Sequence, residues 1–425
     1  MKFKKNYLRF LLAAVGLVLG VVSTNSQTVS PLPDVLTLDA ANERFLEKNL
    51  QIEAARLQVS RAEAERIAAR LRPRPTVNVT AENLRVTGET PFNRLYEVGA
   101  VVTQPFELGG QRGARKELAE RTISLAEAQL ENVIRQRQFE MRRTFYEVLL
   151  AQRQLAVETE NRTNFAELLR FSEVRLQEGE VSPGEVIKVR LEKVKYDSAV
   201  AGARLSMRQT KIRLLELLGE TDFSRIEQLE TLERFEFVDF RVNLTELKQA
   251  ALENRPEIEV ARAETARAEA AFRLELARRR GEIAPYAGYR RVGVDNTVVV
   301  GVSVPLPFGN RNQGQIARAE AERKIAENVL AQTRNRTLAE VETAFLAYET
   351  AKELVKVFEM SVIRQADESL NIMLLSYREG ATDLVNLLDA QRTRNEVRSN
   401  YYRSVSAYYL SLFQLELVTG TEIRQ

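Results

Sequence analysis

Apolar residues recur every seven positions along two long stretches of the chain. In the first, Ile134, Met141, Val148 and Leu155 keep this spacing, Arg162 interrupts it, and Leu169 and Leu176 resume it. In the second, Val341, Tyr348, Val355 and Val362 do the same. Seven-residue apolar spacing is how helices pack side by side in coiled coils, and it predicts long helices over 112–177 and 313–378. Each is roughly 66 residues and so, at 1.5 Å per residue, roughly 100 Å long. Shorter helices are predicted over 38–71 and 183–218 around the first, and over 244–280 and 383–418 around the second. Two short helices laid end to end match one long one. That makes a layer of two rods, a shape no compact globule has.

Ahead of each long helix the period changes from seven to two. Tyr96, Val98, Ala100 and Val102 alternate with Glu97, Gly99, Val101 and Thr103, and Val298, Val300, Val302 and Val304 alternate with Thr297, Val299, Gly301 and Ser303. One face is apolar and the other mostly small or polar. This predicts β-hairpins over about 76–106 and 285–306, with a polar loop over 83–94 in the first and a tight turn at Asp295-Asn296 in the second. Two readings stay open: barrel strands with lipid outside and water inside, or a small sheet packed on helices. Four strands cannot close a barrel, and an open edge is not tolerated in lipid. If these strands cross a bilayer, several copies must share one barrel and pool their helices into a tube.

The two halves are copies of each other. Leu46-Glu47-Lys48-Asn49-Leu50-Gln51-Ile52 is echoed by Leu252-Glu253-Asn254-Arg255-Pro256-Glu257-Ile258, Arg175-Leu176-Gln177-Glu178-Gly179 by Ser376-Tyr377-Arg378-Glu379-Gly380, and Leu218-Gly219 by Thr419-Gly420. Order is kept and the offset stays near about 200 residues, as in an internal duplication. The organisation expected is a first repeat over 27–219, a linker or equatorial segment over 220–243, a second repeat over 244–420 and a tail over 421–425.

Composition narrows the chemistry. Gly and Pro are scarce at 19 and 11, and 28% of residues are charged with a net charge of only +3, which suits solvated helix faces rather than a basic nucleic-acid patch. The absence of Cys and His excludes disulfides, thiol chemistry, His triads and His/Cys zinc sites. Paired carboxylates such as Glu63/Glu65 and Glu320/Glu322 have helix-surface spacing, so no enzyme is expected and no cofactor is implied. Lys2, Lys4, Lys5 and Arg9 precede an apolar run from Phe10 to Val22 and then Ser23, Thr24, Asn25 and Ser26. This is the layout of a secretory signal peptide over 1–26, with a retained anchor as the alternative. Without a Cys after the run, no lipid anchor is expected.

At this point the chain resembles the TolC family of outer-membrane efflux channels, from about 38 to 420. Pro105-Phe106-Glu107-Leu108-Gly109-Gly110-Gln111-Arg112-Gly113-Ala114-Arg115 and Val304-Pro305-Leu306-Pro307-Phe308-Gly309-Asn310-Arg311-Asn312-Gln313-Gly314 further resemble the CzcC-like channels of cobalt–zinc–cadmium resistance. The resemblance implies a mainly α, internally duplicated fold, with long coiled-coil helices forming an α-barrel and four strands per chain contributing to a trimeric outer-membrane β-barrel. It implies a homotrimer, a periplasmic adaptor, an inner-membrane pump of the RND type, outer-membrane lipid and no nucleic acid as partners. Pro105, Gly109, Gly110, Pro305, Pro307 and Gly309 fall where strand must become helix, and Gly113 and Gly314 are also read as bend points. Gly179 and Gly380, followed by Val181-Ser182-Pro183 and Thr382-Asp383, read as a helix stop and a new N-cap. In the family that turn is the tip that meets the adaptor. Arg175, Leu176, Gly179, Val181, Ser182, Tyr377, Gly380 and Thr382 are therefore the expected docking residues. The family's acidic pore constriction maps to Glu185, Asn386 and Asp389, of which Asn386 is not acidic; the Arg that pairs with the acid at 185 maps to Thr382, so that pairing is missing.

The function this resemblance implies is a passive duct for heavy-metal cations. The same fold could serve drug efflux or type I protein secretion. Of a different class, a periplasmic coiled-coil protein would lack the paired amphipathic hairpins, and an adaptor would have one helical hairpin rather than this duplication.

Overall fold

The computed structural model of the chain describes residues 33, 35–84, 87, 89, 94, 96–224, 226–306 and 308–423. The predicted signal peptide, Pro307 and most of the 83–94 loop lie outside the described residues.

The first repeat runs β1 (Val35–Leu36), α1 (Leu38–Lys48), α2 (Leu50–Arg70), β2 (Thr76–Glu82), β3 (Glu97–Thr103), β4 (Phe106–Glu107), α3 (Gln111–Gln177) and α4 (Pro183–Leu217). The second repeat follows β5 (Glu230–Thr231) with α5 (Leu244–Asn254), α6 (Pro256–Arg278), β6 (Glu282–Val292), β7 (Asp295–Ser303), α7 (Gln313–Val357), α8 (Ile363–Arg378) and α9 (Leu384–Thr419). The helices and long strands of the predicted duplication recur in the same order, although β4 has no counterpart in the second repeat and the second long helix is split. Among the described residues no helix is long and apolar enough to cross a membrane.

Three predicted helices are broken. The 38–71 helix ends and restarts at Asn49, whose side chain accepts from the Gln51 and Ile52 amides at 3.0 and 3.2 Å. The 244–280 helix breaks at Arg255, held extended by the following Pro256. The 313–378 helix is interrupted by a π-helical turn at Phe358–Val362. Each of the first two breaks is met by the glycine that ends a returning helix. A Cβ on Gly219 would lie 2.7 Å from the Lys48 carbonyl oxygen, and one on Gly420 would lie 2.8 Å from the Asn254 carbonyl carbon. The echoes at 46–52 and 218–219 are thus the two sides of one contact, made once per repeat.

This equator holds the largest core. Met141, Phe145, Tyr146 and Val148 of α3 meet Val341, Tyr348 and Val355 of α7 and Tyr408, Tyr409, Leu412 and Phe413 of α9. The 220–243 segment, expected as a linker or equatorial segment, is part of it. β5 pairs parallel with β1. Tyr409, Tyr408 and Tyr348 donate to the carbonyls of Glu236, Val238 and Phe240 at 2.7, 2.7 and 2.6 Å. Burial lifts the Tyr348 and Tyr408 phenols above their ordinary range. Below the equator the seam of α3 shifts: Phe165 and Ser172 are fully buried, while Leu155, Leu169 and Leu176 are only half-buried. Arg162 at the heptad position explains this, because a charge on the seam moves the burial to the alternate core position.

The four long strands form an antiparallel sheet in the order β2, β3, β6, β7. The register sets Val77 and Val79 beside Val102 and Ala100, then Ala287 and Tyr289, then Val300 and Val298. The opposite face carries Asn78, Thr80, Glu97, Gly99, Arg290 and Thr297. The apolar face is the exposed one, with Val298 at 77% and Val300 at 73%, whereas Gly99 on the polar face is buried. A sheet resting on a soluble core has the reverse arrangement. The second hairpin turns at Gly293-Val294 rather than at Asp295-Asn296, which belong to β7. Gly293 takes the positive φ of 57° that the turn needs.

Candidate functional site

The tip is built from two copies of one helix stop. At Gly179 (φ 80°) the Glu180 amide donates to Arg175 O at 2.9 Å and the Gly179 amide to Leu176 O at 3.1 Å. At Gly380 (φ 73°) the Ala381 amide donates to Ser376 O at 2.8 Å and the Gly380 amide to Tyr377 O at 3.1 Å. Both are Schellman motifs, which need a left-handed residue. Ser182 and Asp383 then cap α4 and α9 by accepting from the Glu185 and Asn386 amides at 3.2 and 2.9 Å. Sequence alone read these stops correctly.

The eight expected docking residues divide by exposure. Gly179, Ser182 and Gly380 are exposed, and Leu176, Val181 and Thr382 are half-buried. Tyr377 is buried, so it offers no contact surface. Its hydroxyl donates to Glu185 at 2.6 Å and lies 3.5 Å from Ser172. Burial, then the bond to Glu185, raises its phenol above the ordinary range. Arg175 packs over the rings of Phe171 and Tyr377, bonds Glu180 at 2.9 Å and donates to Tyr377 O at 3.3 Å. The bond to Glu180 holds its guanidinium above its usual range. So the acid at 185, without an arginine at 382, takes a tyrosine instead. Thr382 serves locally, accepting from Asn386 Nδ2 at 3.2 Å. Asn386 and Asp389 are exposed on α9.

At the strand–helix junction, β4 pairs with Ile283 and Glu282 at the start of β6. Gly109 and Gly110 follow with φ of 69° and 77°, and a Cβ on Gly109 would sit 2.7 Å from Arg280 Cδ. Gln111 Nε2 donates to Gly281 O at 2.6 Å, and Arg112 and Arg115 reach the carbonyls that end α2. In the second repeat Gly309 (φ 81°) and Asn312 (φ 61°) do this work, with Asn312 Nδ2 donating to Glu275 O at 2.9 Å. Gly113 and Gly314 are not bend points; they lie within the first turn of α3 and α7. Pro305 falls between strand and helix as expected, whereas Pro105 lies between β3 and β4, one short strand before the helix. Asn312 was the junction residue sequence reasoning missed, and its signal was the Asn-Arg-Asn run, since Asn tolerates the left-handed region.

The carboxylates considered for chemistry are helix-surface groups. Glu65, Glu320 and Glu322 pair with Arg61, Lys324 and Arg318 on their own helices at 3.5, 2.8 and 2.9 Å.

Comparison with known proteins agrees with this architecture. The family profile described as outer membrane efflux protein matches residues 42–220 and 247–421, one match per repeat. The cobalt-zinc-cadmium resistance protein CzcC of Cupriavidus metallidurans is 26% identical over 392 residues, covering 91% of this chain and 90% of that one. The nickel-cobalt-cadmium resistance protein NccC of Alcaligenes xylosoxydans xylosoxydans is 24% identical over 316 residues, covering 72% and 68%. Among solved structures, CusC superposes with a TM-score of 0.72 at 17% identity over 90% of this chain and 92% of its own, and the Campylobacter jejuni CmeC outer membrane channel with 0.75 at 14% identity over 91% and 87%. With both repeats matched in order and the channel fold shared, this chain belongs to the outer membrane efflux protein family.

Proposed function

We propose that the chain is the outer-membrane duct of a tripartite efflux system: a passive homotrimer that carries heavy-metal cations from an RND-type pump and a periplasmic adaptor across the outer membrane. It is exported by its N-terminal signal peptide and is not lipidated. The observation that carries the reading is the sheet, which exposes its apolar face and leaves β2 and β7 as open edges. These edge strands run in opposite directions, so β7 of one copy meets β2 of the next as another antiparallel pair. Three copies of the four long strands then give a closed twelve-stranded barrel with lipid outside. The helical layer has matching open edges. Ile187, Leu191, Val194, Leu205 and Ile212 form an exposed heptad stripe on α4, and Leu354, Val357, Ile372 and Leu375 are exposed along α7–α8. Head-to-tail contact of such unlike edges closes a ring.

Metal cargo is favoured over drugs or secreted protein by the relatives of similar length, which are named for cobalt, zinc, cadmium and nickel resistance. The test is deletion of the gene, with sensitivity to zinc, cobalt, cadmium, nickel and copper measured beside organic drugs and detergents. Selective metal sensitivity is expected, rescued by wild type but not by Gly179→Trp protein that still reaches the outer membrane. Sensitivity to drugs alone would discard the metal assignment and keep the duct. A monomer in the outer-membrane fraction would discard the duct.

A further inference from the structure

The exposed apolar face of the sheet ends in a charge. Along that face the cross-strand rows stay apolar as far as Tyr289 and Val298, and the next row sets Arg291 beside Val98 and Asn296. From Pro285 to Arg291 the strand rises about 20 Å, away from the helices. Val304 and Leu306 are exposed at the helix end of the same hairpin. A lipid-facing apolar band is about 25 Å tall, so Arg291 stands at its far limit. An arginine is tolerated on a lipid face only there, where its head reaches water.

The guanidinium of Arg291 is held but not neutralised. Its Nε donates to Gly293 O at 3.2 Å, and its Cζ lies 6.0 Å from the centre of the Tyr96 ring. Among the described residues it has no carboxylate partner, and its two terminal nitrogens make no hydrogen bond. Its neighbour Arg290 faces the other way and meets Glu97 at 3.3 Å. The acids at this end of the sheet, Glu82, Glu97 and Asp295, share a row on the face of Arg290 and not on that of Arg291. Arg94 adds a second cation at the turn: it is exposed, and its carbonyl oxygen would lie 2.7 Å from a Cβ on Gly293. The exposed rim thus carries uncompensated positive charge directly above an apolar surface.

A ligand suited to such a rim has apolar tails and an anionic head. The head must accept the two free N–H groups of a guanidinium fork, which a phosphate does. On the duct reading the helices lie in the periplasm, so the β6–β7 turn lies at the outer leaflet, where the lipids are glycolipids with phosphates on their sugars. We propose that Arg291, flanked by Arg94 and Tyr96, binds a phosphate of this outer-leaflet glycolipid, one site per protomer. The proposal rests on the duct reading above.

The test is native mass spectrometry of the full-length trimer in detergent. It is titrated with purified diphosphorylated lipid A, with the same lipid after phosphatase treatment, and with phosphatidylglycerol. Wild type should bind one lipid A per protomer and should not bind the phosphate-free form. Arg291→Gln should raise the Kd about tenfold, as expected for losing one hydrogen-bonded charge pair. Arg291→Lys, which keeps the charge but not the fork, should fall between the two. Arg290→Gln, one residue away on the opposite face, should bind as wild type does. Equal binding by wild type and Arg291→Gln, or equal binding of lipid A before and after phosphatase, would overturn the proposal. So would equally tight phosphatidylglycerol, which would make the rim a general anionic-lipid surface. Loss of binding in Arg290→Gln with none in Arg291→Gln would reverse the faces of the sheet and overturn the duct reading instead.

Discussion

Four glycines in left-handed conformation end the long and returning helices, and they allow strain to be separated from contact. Gly179 and Gly380 at the tip have φ of 80° and 73°; Gly219 and Gly420 at the equator have 74° and 87°. Any Cβ in this region costs about 1–2 kcal/mol from its clash with its own backbone. At the tip nothing lies within 4 Å of an added Cβ, so Gly179→Ala and Gly380→Ala should cost that amount and no more. At the equator the added atom meets backbone: Lys48 O at 2.7 Å for Gly219, Asn254 C and O at 2.8 Å for Gly420. Those atoms cannot swing away, because Asn49 caps α2 and donates to Leu217 O at 3.0 Å, and Pro256 fixes the second break. Overpacking a filled site adds about 1–3 kcal/mol. Gly219→Ala and Gly420→Ala should therefore cost about 2–5 kcal/mol in all. The assay is denaturant unfolding of the detergent-solubilised protein followed by helical circular dichroism, read as midpoint shifts at unchanged slope. Equal losses at tip and equator, or a larger loss at the tip, would refute the reasoning.

Other consequences follow from single contacts. Tyr377→Phe removes the 2.6 Å bond to Glu185 and should loosen the tip by about 1–2 kcal/mol, seen as faster protease cleavage near 179–183 with the barrel intact. Val300→Arg, on the exposed apolar face, should cost about 2–4 kcal/mol and lower the yield of inserted protein, while Val299→Arg on the polar face should insert nearly normally. Burial alone would raise the Asp367 carboxyl, but hydrogen bonds from Arg394 and Arg398 overcome it and hold the group below its ordinary value of 3.8. The stability it contributes is therefore full above that value and lost as pH falls below it. Asp367→Asn should flatten the acid limb of a melting-temperature profile relative to wild type.

Much of this architecture was legible because it is periodic. The heptads at 141 and 148 and at 341, 348 and 355 announced buried seams, and the alternation at 297–304 announced a two-faced strand. Local stop signals such as Gly179 and Ser182 were equally plain. What was hidden depends on contacts between distant segments. The break at Asn49 is invisible in a run of good helix formers, and it persists because Leu217 O and Gly219 wait on the other side. The packing of the 220–243 segment was hidden because its aromatic residues follow no helical period. Its order comes from tyrosines about 110 to 170 residues away donating to its carbonyls, a pairing that no local rule supplies. Tyr377 looked like surface because it lies beside an exposed turn, yet its ring is sealed beneath Arg175.

The lack of His and Cys is compatible with the proposed metal duct, for kinetic reasons. An ion held at nanomolar Kd, even if captured at about 10⁹ M⁻¹ s⁻¹, leaves only about once per second. Conduction needs sites that are favourable enough to enter and weak enough to leave. Scattered single carboxylates meet that need. Asp389 is exposed on α9, and a ring of its copies at the tip would favour cations without chelating them. On the proposed reading, discrimination among cargoes has to be made before the duct, where residence is long enough to select. What the tip would then control is the fraction of time the path is open. That reading looks for residues with consequences for transport at helix ends rather than in a binding pocket.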